Sequence, residues 1–246
     1  MKSKFGEDAS ADAAPQSAET PITTRPAADR MTIGGTLRAT GVLFVLLIGA
    51  AVFGWMNYES IGRSIILWSA LGLFGLLIIT MIRPQLVMIT GPLYAVAEGV
   101  LVGAISRAYE TFYEGIVLQA ILATFAVFTA MLFLYAYRVI RVTQRMRSTI
   151  ILATVGIALF YLISIVLNLF GVNIPFVWEG GIFSILISAG IIVVASLNLL
   201  LDFDMIENGI RDGADKLMNW FAAFGLMVTL VWLYLEILRL LSYLRD

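Results

Sequence analysis

Long apolar runs alternate with short polar intervals along the chain from residue 38 onward. Each run is long enough to cross about 30 Å of hydrocarbon as an α-helix that rises about 1.5 Å per residue. Because most ionisable residues fall between the runs, the pattern predicts seven membrane-spanning helices. The predicted runs are Arg38–Asn57, Ser64–Ile82, Met88–Ser106, Gly115–Ala136, Ser148–Phe170, Gly180–Leu201 and Leu217–Tyr243.

The polar intervals are short, apart from the one between the sixth and seventh runs. Helices joined by short turns lie antiparallel as neighbours, so we predict one all-α bundle, a polytopic membrane domain over residues 36–246. Residues 1–35 are rich in Ala, Pro, Ser, Thr and charge, which predicts a disordered polar N-terminal tail. The tail has no compact apolar core before a small-residue cleavage site, so we expect the first run to remain as a span.

The composition narrows the function. The chain is 60% hydrophobic and 13% charged, far more apolar than soluble domains. It has neither cysteine nor histidine, which removes common transition-metal ligands and the usual general base. The GxSG and GxGD patterns of intramembrane proteases are absent, and no lysine lies deep in a run where retinal would bind. We therefore expect no enzyme activity, no resident cofactor and no nucleic-acid partner.

The basic residues predict an orientation. Most of the 16 lysines and arginines fall on one side of the predicted membrane, including the cluster between Arg138 and Arg147. The other side holds Arg63, Arg107, Arg239 and Arg245. Because cytoplasmic loops are enriched in Lys and Arg, we predict a cytoplasmic N-terminus and a C-terminus outside the cell.

Four carboxylates in or beside apolar runs are the candidate functional residues. Glu98 lies in the third run, Asp202 and Asp204 follow the sixth, and Glu236 lies in the seventh. An ionisable group at the centre of a bilayer costs about 2.5–3.5 kcal/mol, so each needs a partner or a water-filled cavity. The hypothesis is that Glu98 and Asp202, with Asp204 nearer water, form an acidic site that binds a cation or a shared proton.

Depth along the helices favours some pairs over others. If the sixth helix continues to about Ile210, Asp202 lies level with a residue of the seventh helix near Phe224. Glu236 is twelve residues beyond Phe224, about 18 Å farther along the seventh helix. A direct pair of Asp202 with Glu236 is therefore not expected. Glu98 and Asp202 lie at similar depths from the same membrane face and are predicted to face one another.

Structural interpretations compete with each functional one. Asp202 and Asp204 would be solvated at the interface, paired with Arg83 or Arg211. Glu98 would make a structural hydrogen bond only. Two short spacings favour purely structural roles: Glu236 and Arg239 can pair at i, i+3, and Gly99 and Gly103 form a GxxxG that allows close helix approach.

Three stretches resemble the Bax inhibitor-1-like (transmembrane Bax inhibitor motif) family, in its bacterial, actinobacterial branch. They are LYAVAEGVLVGA in the third run, LLDFDMIENGI at the end of the sixth, and VTLVWLYLEILRLLSYL near the C-terminus. The resemblance covers about Arg38 to Asp246, and the C-terminal stretch is its most specific part.

The resemblance implies a seven-helix bundle whose last helix is central, and a pH-sensitive calcium leak. In the family an aspartate that ends the sixth helix and one in the seventh are thought to form the pH gate, with a basic residue nearby. Asp202 matches the first aspartate, and Arg83 is the candidate basic partner. For the second, the YLD motif matches Glu236, whereas alignment through Trp220 places Thr229 there. In either case Asp204 or Glu98 would supply the second carboxylate.

Two functions are therefore expected to compete. The first is a pH-sensitive cation pathway in a bacterial inner membrane, which transports calcium or protons and binds calcium transiently at Asp202 and Glu98. The second is a non-transporting scaffold that regulates other membrane proteins, such as a protease, through the Arg138–Arg147 loop and the tail. Both require the lipid bilayer as a partner.

Overall fold

The computed structural model describes residues 29–61, 63–171 and 181–245. The predicted tail, residues 1–35, falls mostly outside the described residues, whereas the fold class is confirmed. No β-strand occurs in the described ranges, where the backbone forms seven long helices. In chain order these are α1 (Ile33–Met56), α2 (Arg63–Ile82), α3 (Val87–Phe112), α4 (Ile116–Ala136), α5 (Gln144–Leu169), α6 (Ile182–Arg211) and α7 (Leu217–Arg245).

The helices have the length and surface of membrane spans. Within the described ranges, six are long and apolar enough to cross a bilayer, and α2 contributes an apolar segment, Trp68–Ile82. Large hydrophobic side chains such as Val45, Phe125 and Leu152 are exposed on the outside of the bundle. Such a surface is stable against lipid tails and not against water, so the outer helix faces contact the bilayer.

The last helix, α7, lies at the centre of the bundle. It packs against α1, α3, α4 and α6. One face of α7 joins a core that contains Phe224, Met227 and Val231, and another face joins a second core through Leu226 and Leu233. The predicted central position of the last helix is therefore confirmed.

Helix α6 extends ten residues past the apolar run that predicted it. It continues from Leu201 to Arg211, and the chain then turns at Gly213, whose φ of 65° favours glycine. The residues after Leu201 lose hydropathy but include no proline to break the helix, so the apolar pattern ends before the backbone changes. Asp202 and Asp204 consequently lie inside the helix.

Helices α1 and α3 approach each other through glycines. A Cβ atom on Gly99 would collide with the Leu47 carbonyl oxygen, and one on Gly103 with that of Ala51. Gly54 of α1 makes the reciprocal approach to the Val100 carbonyl. The close approach predicted from the GxxxG spacing is confirmed, and it positions α3 beside the central helix.

The residues just before α1 are attached to the α6–α7 turn. Arg30 forms an isolated antiparallel bridge with Asp215, and the Met31 amide donates to the Ala214 carbonyl at 2.7 Å. Asn219 Oδ1 accepts hydrogen bonds from the Thr32 amide and from the Thr36 hydroxyl. Residues 30–35, the last part of the predicted tail, therefore contact the α6–α7 turn and the start of α7.

Candidate functional site

Asp202 faces the central helix α7. A Cβ atom on Gly225 would lie 3.3 Å from Asp202 Oδ1, so this glycine leaves room for the carboxylate. The Thr229 hydroxyl, one turn further along α7, donates a hydrogen bond to Asp202. Asp202 is partly exposed as a whole residue, but its Oδ2 atom is buried and has no hydrogen-bond partner. One carboxylate oxygen is thus left open in the α6–α7 seam.

Glu98 is a second buried carboxylate with an open oxygen. The Tyr94 hydroxyl donates to Glu98 Oε1 at 3.1 Å, while Oε2 has no partner. Among the described residues that are not exposed, two buried side-chain oxygens have no hydrogen-bond partner, namely Glu98 Oε2 and Asp202 Oδ2. A hydrogen bond to Glu98 is present, as the structural interpretation expects, but it satisfies only half of the carboxylate.

The two open carboxylates lie at about the same height in the bundle. The Tyr94 ring contacts Phe224 edge-on, with centroids 5.1 Å apart. Helices α3 and α7 run parallel, so Glu98, one turn beyond Tyr94, lies level with about Val228. Asp202 lies against the neighbouring residues of α7, and the similar depth predicted for the two carboxylates agrees with this placement.

Glu98 and Asp202 nevertheless approach different faces of α7. Glu98 is on the α3 side, next to the ring contact with Phe224, whereas Asp202 lies over Gly225 and Thr229. Successive residues of a helix point about 100° apart, so the central helix separates the two side chains around its circumference. The structure therefore shows two polar sites at one level and does not show a shared carboxylate pair.

Glu236 belongs to a separate cluster. Its two oxygens accept hydrogen bonds from the Ser188 hydroxyl at 2.8 Å and the Tyr161 hydroxyl at 2.7 Å, and Arg239 pairs with it at 3.5 Å. Ser188 is fourteen residues before Asp202 on α6, or about 21 Å along the helix. Glu236 and Asp202 are therefore far apart, as the depth estimate predicts, and Glu236 and Arg239 form the i, i+3 pair suggested by their spacing.

Thr229 is the α7 residue that meets Asp202. The sequence left two matches open for the family's seventh-helix aspartate, Glu236 and Thr229. Of these two residues, Thr229 is the one that contacts Asp202, because its hydroxyl bonds Asp202 while Glu236 bonds side chains some 20 Å away along the helices. The side chain that Asp202 meets at this position of α7 is thus a hydroxyl and not a carboxylate.

Asp204 and Glu207 bind arginines on either side of the α4–α5 loop. Arg147 forms an ion pair with Asp204 Oδ2, which also accepts a hydrogen bond from Asn208 at 2.9 Å. Arg138 donates to Glu207 at 2.6 Å. Asp204 therefore pairs with Arg147, and not with the expected Arg83 or Arg211. The loop is fastened to α6 only a few residues from Asp202.

Arg83 does not reach the site. It lies in the short connection between α2 and α3 and is exposed. Asp202 makes no ion pair in the described part of the chain, so it is not paired with Arg83, the predicted basic partner. Arg211 pairs instead with the neighbouring Asp212 at 3.3 Å.

The described residues contain no group of three or more acidic side chains able to hold a metal ion. Calcium prefers about six to eight oxygen ligands. The carboxylates of Asp202 and Glu98 would each contribute a small part of such a shell.

Sequence reasoning missed Tyr94, Tyr161 and Ser188 as partners of the carboxylates. Tyr94 had a usable signal, since it precedes Glu98 by one helical turn and such residues share a face. Tyr161 and Ser188 come from α5 and α6, and nothing in their local sequence distinguishes them from ordinary polar residues of a membrane helix.

One comparison with known proteins identifies a family. The model of the Bax inhibitor 1 like family matches residues 4–246. Searches of curated proteins and of solved structures gave no match.

Proposed function

We propose that this chain, which belongs to the Bax inhibitor 1 like family, is a pH-sensitive cation leak pathway whose preferred ion is calcium. The observation that supports this most directly is Asp202, whose Oδ2 has no partner in the seam between α6 and the central helix. The pathway follows that seam, and Asp202 acts as its gate. We place the protein in a bacterial cell membrane with its N-terminus in the cytoplasm.

The pH dependence follows from competition between a proton and a cation. An ionised carboxylate that is buried without a positive partner is costly. Asp202 therefore holds either a proton or a cation, and Glu98 is subject to the same choice on the other face of α7. A protonated Asp202 offers no negative charge to calcium, so we expect more flux at pH 8 than at pH 6.

The few protein oxygen ligands at Asp202 suit weak, transient calcium binding in a leak pathway better than tight calcium binding. Asp202 contributes its carboxylate and Thr229 a hydroxyl, and water would provide most of the remaining oxygens around calcium. Ions that keep much of their water bind weakly and leave readily, as conduction requires. Glu98, at about the same height, is a second carboxylate that can take up a proton or a cation.

The test is calcium entry into liposomes that contain only the purified protein. Flux is measured at pH 6 and pH 8 for the wild type and for Asp202→Asn, which preserves shape and removes the charge. We expect Asp202→Asn to abolish the flux or its pH dependence. Thr229→Val, which removes one oxygen, should weaken the flux less.

Asp212→Asn is the matched control, since it removes a carboxylate that is exposed and paired with Arg211 at the helix end. Its flux should equal that of the wild type. Asp202→Asn protein that is folded and retains the full pH-dependent flux would refute the gate assigned to Asp202.

A scaffold function is the second candidate. Arg141 in the α4–α5 loop and Arg145 in the first turn of α5 are exposed, whereas Arg138 and Arg147 are held by α6. Two free-standing cations beside the membrane surface would suit an acidic segment of another membrane protein, such as a protease. Absence of flux from folded wild-type protein in pure lipid would favour this function over the leak.

A further inference from the structure

A short segment of backbone crosses the turn between α6 and α7. This strap consists of residues 29–32, which immediately precede α1. Arg30 and Asp215 form an isolated antiparallel bridge, and backbone hydrogen bonds of 2.7 and 2.9 Å flank that bridge on its two sides. The Thr32 amide adds a bond of 3.0 Å to Asn219 Oδ1 at the start of α7. The strap is therefore attached by its backbone to the turn end of the α6–α7 pair.

Met31 is the side chain of the strap that enters the bundle, and it is 2% exposed. A Cβ atom on Gly209 of α6 would lie 2.6 Å from Met31 Sδ, so the glycine provides the space that the thioether occupies. Methionine is unbranched and flexible, which suits it to filling irregular gaps between helices. A side chain from outside the α6–α7 pair thus fills the turn end of the seam between these two helices.

Gly209 and Asp202 lie on the same face of α6. Positions 202, 205 and 209 are separated by three and four residues, a spacing that aligns side chains along one side of a helix. A Cβ atom on Gly225 of α7 would lie 3.3 Å from Asp202 Oδ1 and 3.7 Å from Met205 Cε, so this face is directed at α7. Gly209 is seven residues beyond Asp202, about 10 Å along the helix. Met31 therefore lies between the Asp202 carboxylate and the turn end of the seam.

The Met31 side chain is poorly suited to bind the ion that the pathway is proposed to carry. A thioether is a soft ligand, whereas calcium prefers hard oxygen ligands. A cation that moves along the seam between Asp202 and the turn end meets an apolar group there, which cannot replace the water that the ion loses. Passage along the seam therefore requires that Met31 move aside.

The attachment of the strap is of a kind that opens locally. A few hydrogen bonds hold it, and Thr32 and Asp215 are exposed. Segments with exposed backbone hydrogen bonds and few buried contacts open at a much smaller free energy than the whole fold. The strap can therefore separate from the turn while the helices that carry Asp202 and Thr229 remain packed.

We propose that the strap is a lid on the cation pathway and that Met31 is its plug at the turn end of the α6–α7 seam. The bridge between Arg30 and Asp215 holds the lid closed. This inference rests on the proposed function. It adds a control point separate from the charge of Asp202, because the lid opens and closes without any change at the carboxylate.

The first experiment locks the lid with a disulfide. Arg30 and Asp215 are a non-hydrogen-bonded pair, because their neighbours make the two flanking hydrogen bonds. Cα atoms in such pairs lie about 4.5 Å apart, and disulfides span Cα distances of about 4.4–6.8 Å. The chain has no cysteine, so Arg30→Cys combined with Asp215→Cys creates one possible bridge within the chain.

Calcium flux into liposomes is measured for this double variant before and after reduction. The oxidised protein should conduct about tenfold less than the reduced protein, because flux scales with the fraction of molecules whose lid is open. Arg30→Cys alone is the control, and its flux should not respond to the reductant. A disulfide that forms without lowering the flux, or one that does not form in the membrane, would overturn the lid.

The second experiment removes the plug. Met31→Ala leaves space at the turn end of the seam, and flux should rise about tenfold. Gly209→Ala should also raise flux, because its methyl group collides with Met31 Sδ and displaces that side chain. In the Met31→Ala background, Gly209→Ala should cause no further rise, since the collision is gone.

Met56→Ala is the matched control, because Met56 is 77% exposed at the opposite end of α1. Its flux should match that of the wild type. A merely structural contact predicts wild-type flux from every variant that folds, and this result for Met31→Ala would contradict the plug.

The third experiment does not depend on transport. Met205→Cys introduces a single thiol between Asp202 and Met31. Its rate of labelling by a cationic methanethiosulfonate reagent measures the access of ions in water to the seam. Adding Met31→Ala should raise this rate about tenfold, and an unchanged rate would contradict the seal.

The three experiments separate the lid from the proposed leak. A labelling rate that rises with Met31→Ala, with no calcium flux in any variant, would refute the leak and leave the seal at Met31 intact. Wild-type flux that responds neither to the disulfide nor to Met31→Ala would refute the lid alone.

Discussion

Adding one methyl group at Gly103 should separate α1 from α3. A Cβ atom there would lie 2.7 Å from the Ala51 carbonyl carbon and 2.8 Å from its Cα. Non-bonded carbon atoms prefer about 3.5–4.0 Å, so the two backbones must part by about 1 Å. Both contacts are with backbone atoms, which have no rotamer to change. We expect Gly103→Ala to lose about 1–3 kcal/mol of unfolding free energy to this overpacking.

Gly91→Ala is the matched control on the same helix. The nearest atoms to its added Cβ are side-chain methyl carbons of Leu43 and Val87, each at 3.7 Å, which is ordinary contact. Alanine stabilises a helix relative to glycine by about 0.8–1 kcal/mol at either position, so the difference between the variants isolates the collision. The assay is unfolding of purified protein in mixed micelles with increasing SDS, followed by tryptophan fluorescence. Gly103→Ala protein as stable as Gly91→Ala would refute the close backbone approach.

Two further predictions concern the basic end of the bundle. Asn219→Ala removes the acceptor of the Thr32 amide and the Thr36 hydroxyl. We expect it to lower the free energy of unfolding by about 1–3 kcal/mol and to speed hydrogen exchange at the start of α1. Unchanged exchange there would contradict the attachment of this segment to α7. Arg147→Gln and Asp204→Asn are compared with the double variant in the same unfolding assay. The coupling energy between them should be about 1 kcal/mol, because the ion pair is partly exposed. Additive effects would show that the ion pair does not stabilise the fold.

The candidate site could be predicted from the sequence only in part. Glu98, Asp202 and Glu236 stand out because carboxylates are costly inside apolar runs. Helical rise alone separates Asp202 from Glu236, since depth depends on residue counts and a turn position. The partners could not be predicted in this way. Arg147 as the partner of Asp204, and Thr229 as that of Asp202, depend on how each helix is rotated about its axis.

The sequence by itself determined the seven helices, the all-α class and the close approach at Gly99 and Gly103. These features depend on local quantities, namely the free energy of burying a run of side chains in lipid and the small size of glycine. Only the tertiary structure decided that Glu98 and Asp202 lie on different faces of the central helix. Rotation about a helix axis is set by the sum of many side-chain contacts with several neighbours, and no single run of sequence carries that information.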